Sequence, residues 1–281
     1  MRGVVNLYKP KGVTSNYCVG AVRRALGTRA VGHMGTLDPQ GEGVLPIGVG
    51  KCTRLFDFYL QKDKVYEADF TFGYTTDTLD GDGQTTAAGG RIPTGAEIQD
   101  ALAGQTGTRS QIPPLYSAKS VDGVRAYELA RKGIPFELKP KTVEIFSAQL
   151  LAYDPPTARV SVHCSAGTYI RSICRDVAEA LGTLATMTAI KRIRSGPFRI
   201  EDAVTIERLD ELGERALIPA ERALADVRRF DADEVYYGKL ANGVRTDVGA
   251  PEGQCVLYCK NELFGLAQTA AGITRITTYL R

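Results

Sequence analysis

An aspartate precedes a proline in the stretch Gly32-His33-Met34-Gly35-Thr36-Leu37-Asp38-Pro39, which is followed by Gly41, Gly43 and Val44-Leu45-Pro46. A residue before proline is pushed out of the helical region, so the Asp38 carboxylate projects from an extended loop. Glycines on both sides let a backbone or a ligand come close. A carboxylate so placed can act as nucleophile or base. The same residues also suit an aspartate that closes an Asx-turn. A second stretch, Cys164-Ser165-Ala166-Gly167-Thr168-Tyr169-Ile170-Arg171-Ser172, reads as a strand ending in a glycine turn that opens a helix. Arginine is unusual in a first helical turn, where the dipole disfavours cations. A partner anion explains it, since a guanidinium holds a carboxylate at two points; a surface arginine is the plain alternative.

The third stretch is Lys64-Val65-Tyr66-Glu67, followed by Gly73-Tyr74-Thr75-Thr76-Asp77-Thr78-Leu79-Asp80-Gly81. A tyrosine on a strand can stack on a nucleobase and place a hydroxyl, or simply fill a core. Asp77, Asp80 and Asp82 offer oxygens to a cation. An EF-hand would need a glutamate at its twelfth position, where Ala88 stands, so no metal is expected. The fourth stretch, Gln111-Ile112-Pro113-Pro114-Leu115-Tyr116-Ser117-Ala118-Lys119, leads into Gly123-Val124-Arg125-Ala126-Tyr127. Its interleaved aromatics and bases suit a loop that touches both phosphates and bases.

Several elements must position these residues. Gly3 to Leu7 alternates as a strand, and a helix capped by Thr14 or Ser15 carries Val19, Val22 and Leu26 at helical spacing. Val65, Glu67, Ala68, Phe70 and Phe72 mark a strand over 64–75, and 76–93 reads as a loop. Short helices are expected over 97–102 and 122–133. Two strands, 141–153 and 157–164, flank Asp154-Pro155-Pro156, and a helix runs from Tyr169 to Leu181. A strand over 186–200 and short helices over 204–226 precede a β-patterned tail, 228–281. Strands paired by hairpins and interleaved with helices give an α+β fold, with the acidic stretch 201–226 as the junction before the tail.

The chain has 281 residues, of which 43% are hydrophobic and 24% charged. These proportions exclude disordered and fibrous classes, and no apolar run reaches membrane-span length. No signal peptide is read at the N-terminus, because Lys9 interrupts the first apolar run. Cys18, Cys52, Cys164, Cys174, Cys255 and Cys259 form no CxxC pair, and His33 and His163 are the two histidines. This is the pattern of free thiols in a reducing cytoplasm rather than of zinc ligands. The net charge is +3, but it is segregated. Residues 1–30 hold six bases and no acid, residues 186–199 hold four bases and no acid, and 201–234 holds eleven acids against five bases. Such segregation can present a basic face to a nucleic acid. Strand parity would put Arg192 and Arg194 on one face beside Ile190. If about half of those ten bases contact phosphates, log K should fall with log salt at a slope of about −4.

Together the motifs resemble the tRNA pseudouridine synthase B (TruB) family. The opening Lys9-Pro10-Lys11-Gly12-Val13-Thr14-Ser15, the GHMGTLDP core, KVYE, PPLYSAK and GTYIRS occur in the family's order and spacing, and Ile190-Lys191-Arg192-Ile193-Arg194-Ser195-Gly196-Pro197-Phe198 also looks like the family's. The resemblance implies a catalytic domain over 1–226 around a mixed, largely antiparallel sheet, with 113–140 as an RNA-contacting insertion. It also implies a small PUA-like RNA-binding domain over 227–281. By the same resemblance Asp38 is the nucleophile, Arg171 its partner arginine and Tyr66 the residue stacked on the target base. His33, Tyr169 and Ile190 line the uridine pocket, and Lys9 and Pro10 bind substrate.

The family isomerises uridine 55 in the T-loop of the tRNA T-arm to pseudouridine without a cofactor, and it implies a cytoplasmic monomer with no membrane partner. The chain departs from the family pattern at Gln40-Gly41-Glu42, where Glu42 adds a negative charge, and at Lys141, where arginine is common. Two other readings are a catalytically idle RNA-binding or RNA-folding protein and a guide-RNA relative acting on another RNA. The intact Asp38, Tyr66 and Arg171 speak against the first; the chain's small room for additional segments speaks against the second.

Overall fold

A computed structural model describes every residue of the chain except Ala118, a member of the PPLYSAK stretch that therefore lies outside the described residues. The first elements are β1 (Gly3–Lys9), α1 (Ser15–Leu26), β2 (Val31–His33), β3 (Gly41–Val49) and α2 (Phe56–Leu60). Then come β4 (Lys64–Phe72), β5 (Tyr74–Thr76), β6 (Thr85–Ala88), α3 (Gly95–Ala103), β7 (Gly107–Gln111), β8 (Ser120–Val121), β9 (Val124–Arg125) and α4 (Ala126–Arg131). The centre of the chain forms β10 (Lys141–Asp154), β11 (Thr157–Cys164), α5 (Ile170–Ala180) and β12 (Ala185–Ser195). The remainder forms β13 (Phe198–Arg199), α6 (Ile206–Leu212), α7 (Ala220–Ala223), β14 (Arg229–Ala232), α8 (Tyr237–Ala241), β15 (Gly253–Cys259), β16 (Glu262–Ala270) and β17 (Ile273–Tyr279). They form two compact units, neither of which is one run of sequence: 1–38, 44–60 and 197–281 make one, and 39–43 with 61–196 make the other.

In the first unit, β1 is buried along most of its length. Val4 exchanges two backbone hydrogen bonds of 2.8 Å with Ile218, and Val204 donates to the Asn6 carbonyl. Thr14 caps α1 by accepting from the Tyr17 N–H, and Gly27 ends it in the left-handed region that favours glycine. The 204–226 stretch is packed in rather than loose: Leu209 joins Val19 and Val22 in one cluster, and Ala220 and Leu224 join Val4 and Leu55 in another. The tail sheet β14-β15-β16-β17 supplies Val256, Leu263 and Leu266 to that second cluster. The β-patterned tail thus shares a core with the N-terminal strand.

In the second unit, β12, β4, β11, β10 and β7 lie side by side and antiparallel, with residues 41–43 parallel to β12 at its edge. Lys64, Tyr66, Ala68, Phe70 and Phe72 alternate along β4, and the last three are buried with Ile98 and Leu102 of α3 and Ile173 and Val177 of α5. The intervening residues face away; among them Asp69 accepts from Arg159 at 2.8 Å, and the Thr71 hydroxyl lies 2.9 Å from that of Thr188.

Two local expectations are corrected. The 76–93 loop contains β6, which pairs with β5. The 122–133 helix is shorter: β8 and β9 form a tiny hairpin around Asp122-Gly123, both at positive φ, and only 126–131 is helical. The Asp-Gly turn signal outweighed the helical spacing.

Candidate active site

The first unit holds Asp38, His33, Lys9 and Pro10. His33 ends β2 opposite Ile47, and the Met34 N–H donates to the Pro46 carbonyl at 2.8 Å. Leu37 is buried, and its main chain is clamped by the side chain of Ser15, one of the two candidate caps of α1. The Ser15 hydroxyl accepts from the Leu37 N–H at 3.0 Å and donates to the Leu37 carbonyl at 2.8 Å. Asp38 follows directly and is exposed. An exposed aspartate thus follows directly on a backbone held in place at Leu37. Lys9 is fully buried, and its ammonium donates to the Pro10 carbonyl at 3.0 Å.

The second unit holds Tyr66, Tyr169, Arg171 and Ile190. Tyr66 and Ile190 both pack against the core formed by the sheet with α3 and α5. Gln111, itself buried, pins Tyr169 from both sides: its carbonyl oxygen accepts from the Tyr169 N–H at 2.8 Å and its amide donates to the Tyr169 carbonyl at 3.2 Å. Arg171 is buried in the first turn of α5, where the sequence calls for an anion. One is present in the same unit: Asp80 Oδ2 lies 3.0 Å from Arg171 Nη1. Nη1 and Nη2 also donate to the carbonyls of Thr78 and Tyr116, each at 3.0 Å. Asp80 Oδ1 in turn accepts from the Thr78 hydroxyl at 2.6 Å and the Asp82 N–H at 3.2 Å. The acidic loop, considered from sequence as a cation site, therefore orients a guanidinium. Among the described residues no group of three His, Cys, Asp or Glu is arranged to hold a metal ion.

The second basic stretch is not a continuous solvent face, although its last base, Arg199, is exposed and lies 3.7 Å from Glu201. A bulge between Arg192 and Arg194 breaks the strand parity: Arg192 lies opposite Tyr66 and Arg194 opposite Val65, so their side chains point to opposite faces. Arg192 is 2% exposed. Arg194 Nη2 donates to Asp63 Oδ2 at 2.6 Å, and His163 Nε2 lies 2.5 Å from the same oxygen. Lys191 pairs with Glu42 at 3.0 Å, so the charge at position 42 is answered locally. Gly43, at φ +102°, lies so close to this strand that a Cβ there would collide with the Arg192 carbonyl oxygen. In the first basic stretch Lys11, Arg23, Arg24 and Arg29 are exposed, while Lys9 is not and Arg2 pairs with Glu221 at 3.0 Å.

From residue 23 to residue 226 the chain is covered by two family matches. The TruB family pseudouridylate synthase N-terminal domain matches residues 23–170, and the tRNA pseudouridylate synthase B C-terminal domain matches 171–226. This chain belongs to the TruB family of pseudouridylate synthases. It is 45% identical over 212 residues, 75% of this chain and 69% of the relative, to tRNA pseudouridine synthase B of Syntrophotalea carbinolica. Identity is 41% to the protein of that name from Clostridium perfringens (87% of this chain, 84% of the relative) and 43% to that from Symbiobacterium thermophilum (86% and 82%). Among solved structures, a chain in the crystal structure of a Cbf5-Nop10-Gar1 complex superposes with a TM-score of 0.74 at 25% identity, covering 98% of this chain and 79% of that one. The fold is that of the family: a mixed sheet with helices, followed by a β-rich tail. Among the described residues no helix is long and apolar enough to cross a membrane.

Proposed function

We propose that Asp38 is the nucleophile with which this chain converts uridine 55 in the T-loop of tRNA to pseudouridine. Family membership makes the chain an isomerase of uridine in tRNA; the roles of single residues are our reading. Arg171 partners Asp38, Tyr66 stacks on the extruded base, His33, Tyr169 and Ile190 line its pocket, and Lys9 and Pro10 bind substrate. A base must leave its stack to be rejoined through carbon, and flat side chains receive it. Catalysis falls to residues 1–226, with 113–140 gripping the T-arm; 227–281 adds a PUA-like RNA-binding module. The protein acts as a cytoplasmic monomer.

The observation that carries this reading is the exposed Asp38 carboxylate on a backbone held at Leu37 by Ser15. The chemistry asks for one anion near the sugar and pyrimidine and a pocket for the detached base. No net oxidation or hydrolysis occurs, because uridine and pseudouridine are isomers. The test is incubation with a tRNA transcript followed by mapping of pseudouridine. Wild type should modify one T-loop uridine and Asp38→Asn none, with tRNA binding retained. Turnover by the Asn variant at a few per cent of wild type would remove Asp38 as nucleophile. Binding without any product in wild type would favour an RNA-folding protein.

A further inference from the structure

Lys64 is the buried charge of the KVYE stretch, and the reading above gives it no role. It opens β4 two residues before Tyr66, and strand alternation puts both side chains on one face. Its row on that face is Cys164, Lys64 and Ser195; the next row is Val162, Tyr66 and Arg192. Lys64 and Arg192 are 6% and 2% exposed, so two cations lie buried in adjacent rows beside the tyrosine. The Lys64 ammonium donates to the Lys62 carbonyl at 2.5 Å. Burying cations is costly, and leucine or methionine would fill the space more cheaply, so the charge itself needs an explanation.

We propose that Lys64 and Arg192 keep the surroundings of Tyr66 positive in order to stabilise the negative charge that develops on uracil as it leaves the sugar. The inference rests on Tyr66 being the base-stacking residue. When the N1–C1′ bond breaks, its electron pair passes to the base, which carries the charge over N1 and the carbonyl oxygens. The base turns, C5 bonds to C1′, C5 gives up its proton and N1 takes one up, so nothing is consumed. Neither cation need touch the base, because fixed charges in a poorly hydrated interior act over several ångströms. Both are positioning residues in this sense.

Lys64 also gives the arrangement a pH signature. Burial, and then repulsion from Arg192, push its ammonium down to about 8. The groups around it are Arg192 on β12, Cys164 on β11, Asp63 beside it in the chain and Lys141 on β10. Burial pushes the Cys164 thiol up to about 11. Burial would raise Asp63, but its hydrogen bonds to His163 and Arg194 outweigh this and hold it below its ordinary value. Lys64 is thus expected to change charge near pH 8.

The experiment is single-turnover conversion of a tRNA transcript from about pH 6 to about pH 10, with the dissociation constant measured alongside. The wild-type rate should fall on the order of tenfold as Lys64 loses its proton. Lys64→Met should show that loss already at neutral pH, lack the limb near pH 8, and bind tRNA as wild type does, because Lys64 is buried. Arg192→Met should be slower and should move the limb to higher pH, since a repelling charge is gone; a purely structural role would not move it. A Lys64→Met enzyme with the wild-type rate, an unmoved limb in Arg192→Met, or a loss confined to tRNA affinity would each overturn the proposal. A wild type that makes no pseudouridine at any pH would instead overturn the functional reading beneath it.

Discussion

Apart from Lys9, which is buried, the two compact units carry the charges considered above in opposite ways. In the first, Asp38, Lys11, Arg23, Arg24 and Arg29 stand in solvent. In the second, Lys64, Arg171 and Arg192 are buried. An exposed charge keeps much of its hydration and costs the fold little. A buried charge must be answered from within, so it ties function to stability. Substitutions of the exposed charges in the first unit should therefore change activity or binding while leaving the fold alone. Substitutions in the second should move both.

The largest effect that could break this contrast belongs to Asp38→Asn. Turnover should drop by on the order of 10⁴-fold, while chemical denaturation shifts by less than about 0.5 kcal/mol. A variant that is inactive because it is unfolded would contradict the exposed placement of Asp38. Asp80→Ala should do the opposite kind of damage. It leaves the Arg171 guanidinium buried without its carboxylate, so stability should fall by about 3 kcal/mol, and activity should fall with it. A urea titration showing wild-type stability would mean that the Arg171–Asp80 pair of 3.0 Å does not hold the loop.

Lys64 sharpens the contrast through the sign of its effect. Its folded pKa, about 8, lies below the ordinary lysine value of 10.5. Below pH 8 the folded state holds a proton in an unfavourable place, and that cost disappears as pH rises through the window up to the unfolded value. Lys64→Met should therefore be more stable than wild type at neutral pH by roughly 2–4 kcal/mol, with the advantage gone above the unfolded pKa. Equal stabilities at pH 7 would show the lysine to be better solvated than its burial indicates.

The smallest effect separates the two basic stretches. Arg24→Met should reduce the size of the salt slope of tRNA binding by about one unit. Arg194→Met should leave it unchanged, because its guanidinium is already matched by Asp63. A reduced slope in the Arg194 variant would restore the continuous basic face that the sequence suggested.

The sequence by itself determined much that is local or ordered along the chain. A cap at Thr14 or Ser15, the alternation that puts Tyr66 on one face of β4, and the Asp38-Pro39 loop all depend on neighbours within a few residues. The ordered motifs identified the family because order and spacing are themselves properties of sequence. Tertiary structure decided which charges meet. That Arg171 would find Asp80, that Gln111 would clamp Tyr169 and that Ser15 would hold Leu37 depends on residues 91, 58 and 22 positions apart, as counted between those numbers, coming together. One extra residue at the bulge between Arg192 and Arg194 sent two arginines of equal parity to opposite faces, one inward and one to Asp63. Periodicity reports only the preference of a strand for two faces; the register that assigns each residue to a face is set by hydrogen bonds to a partner strand distant in the chain.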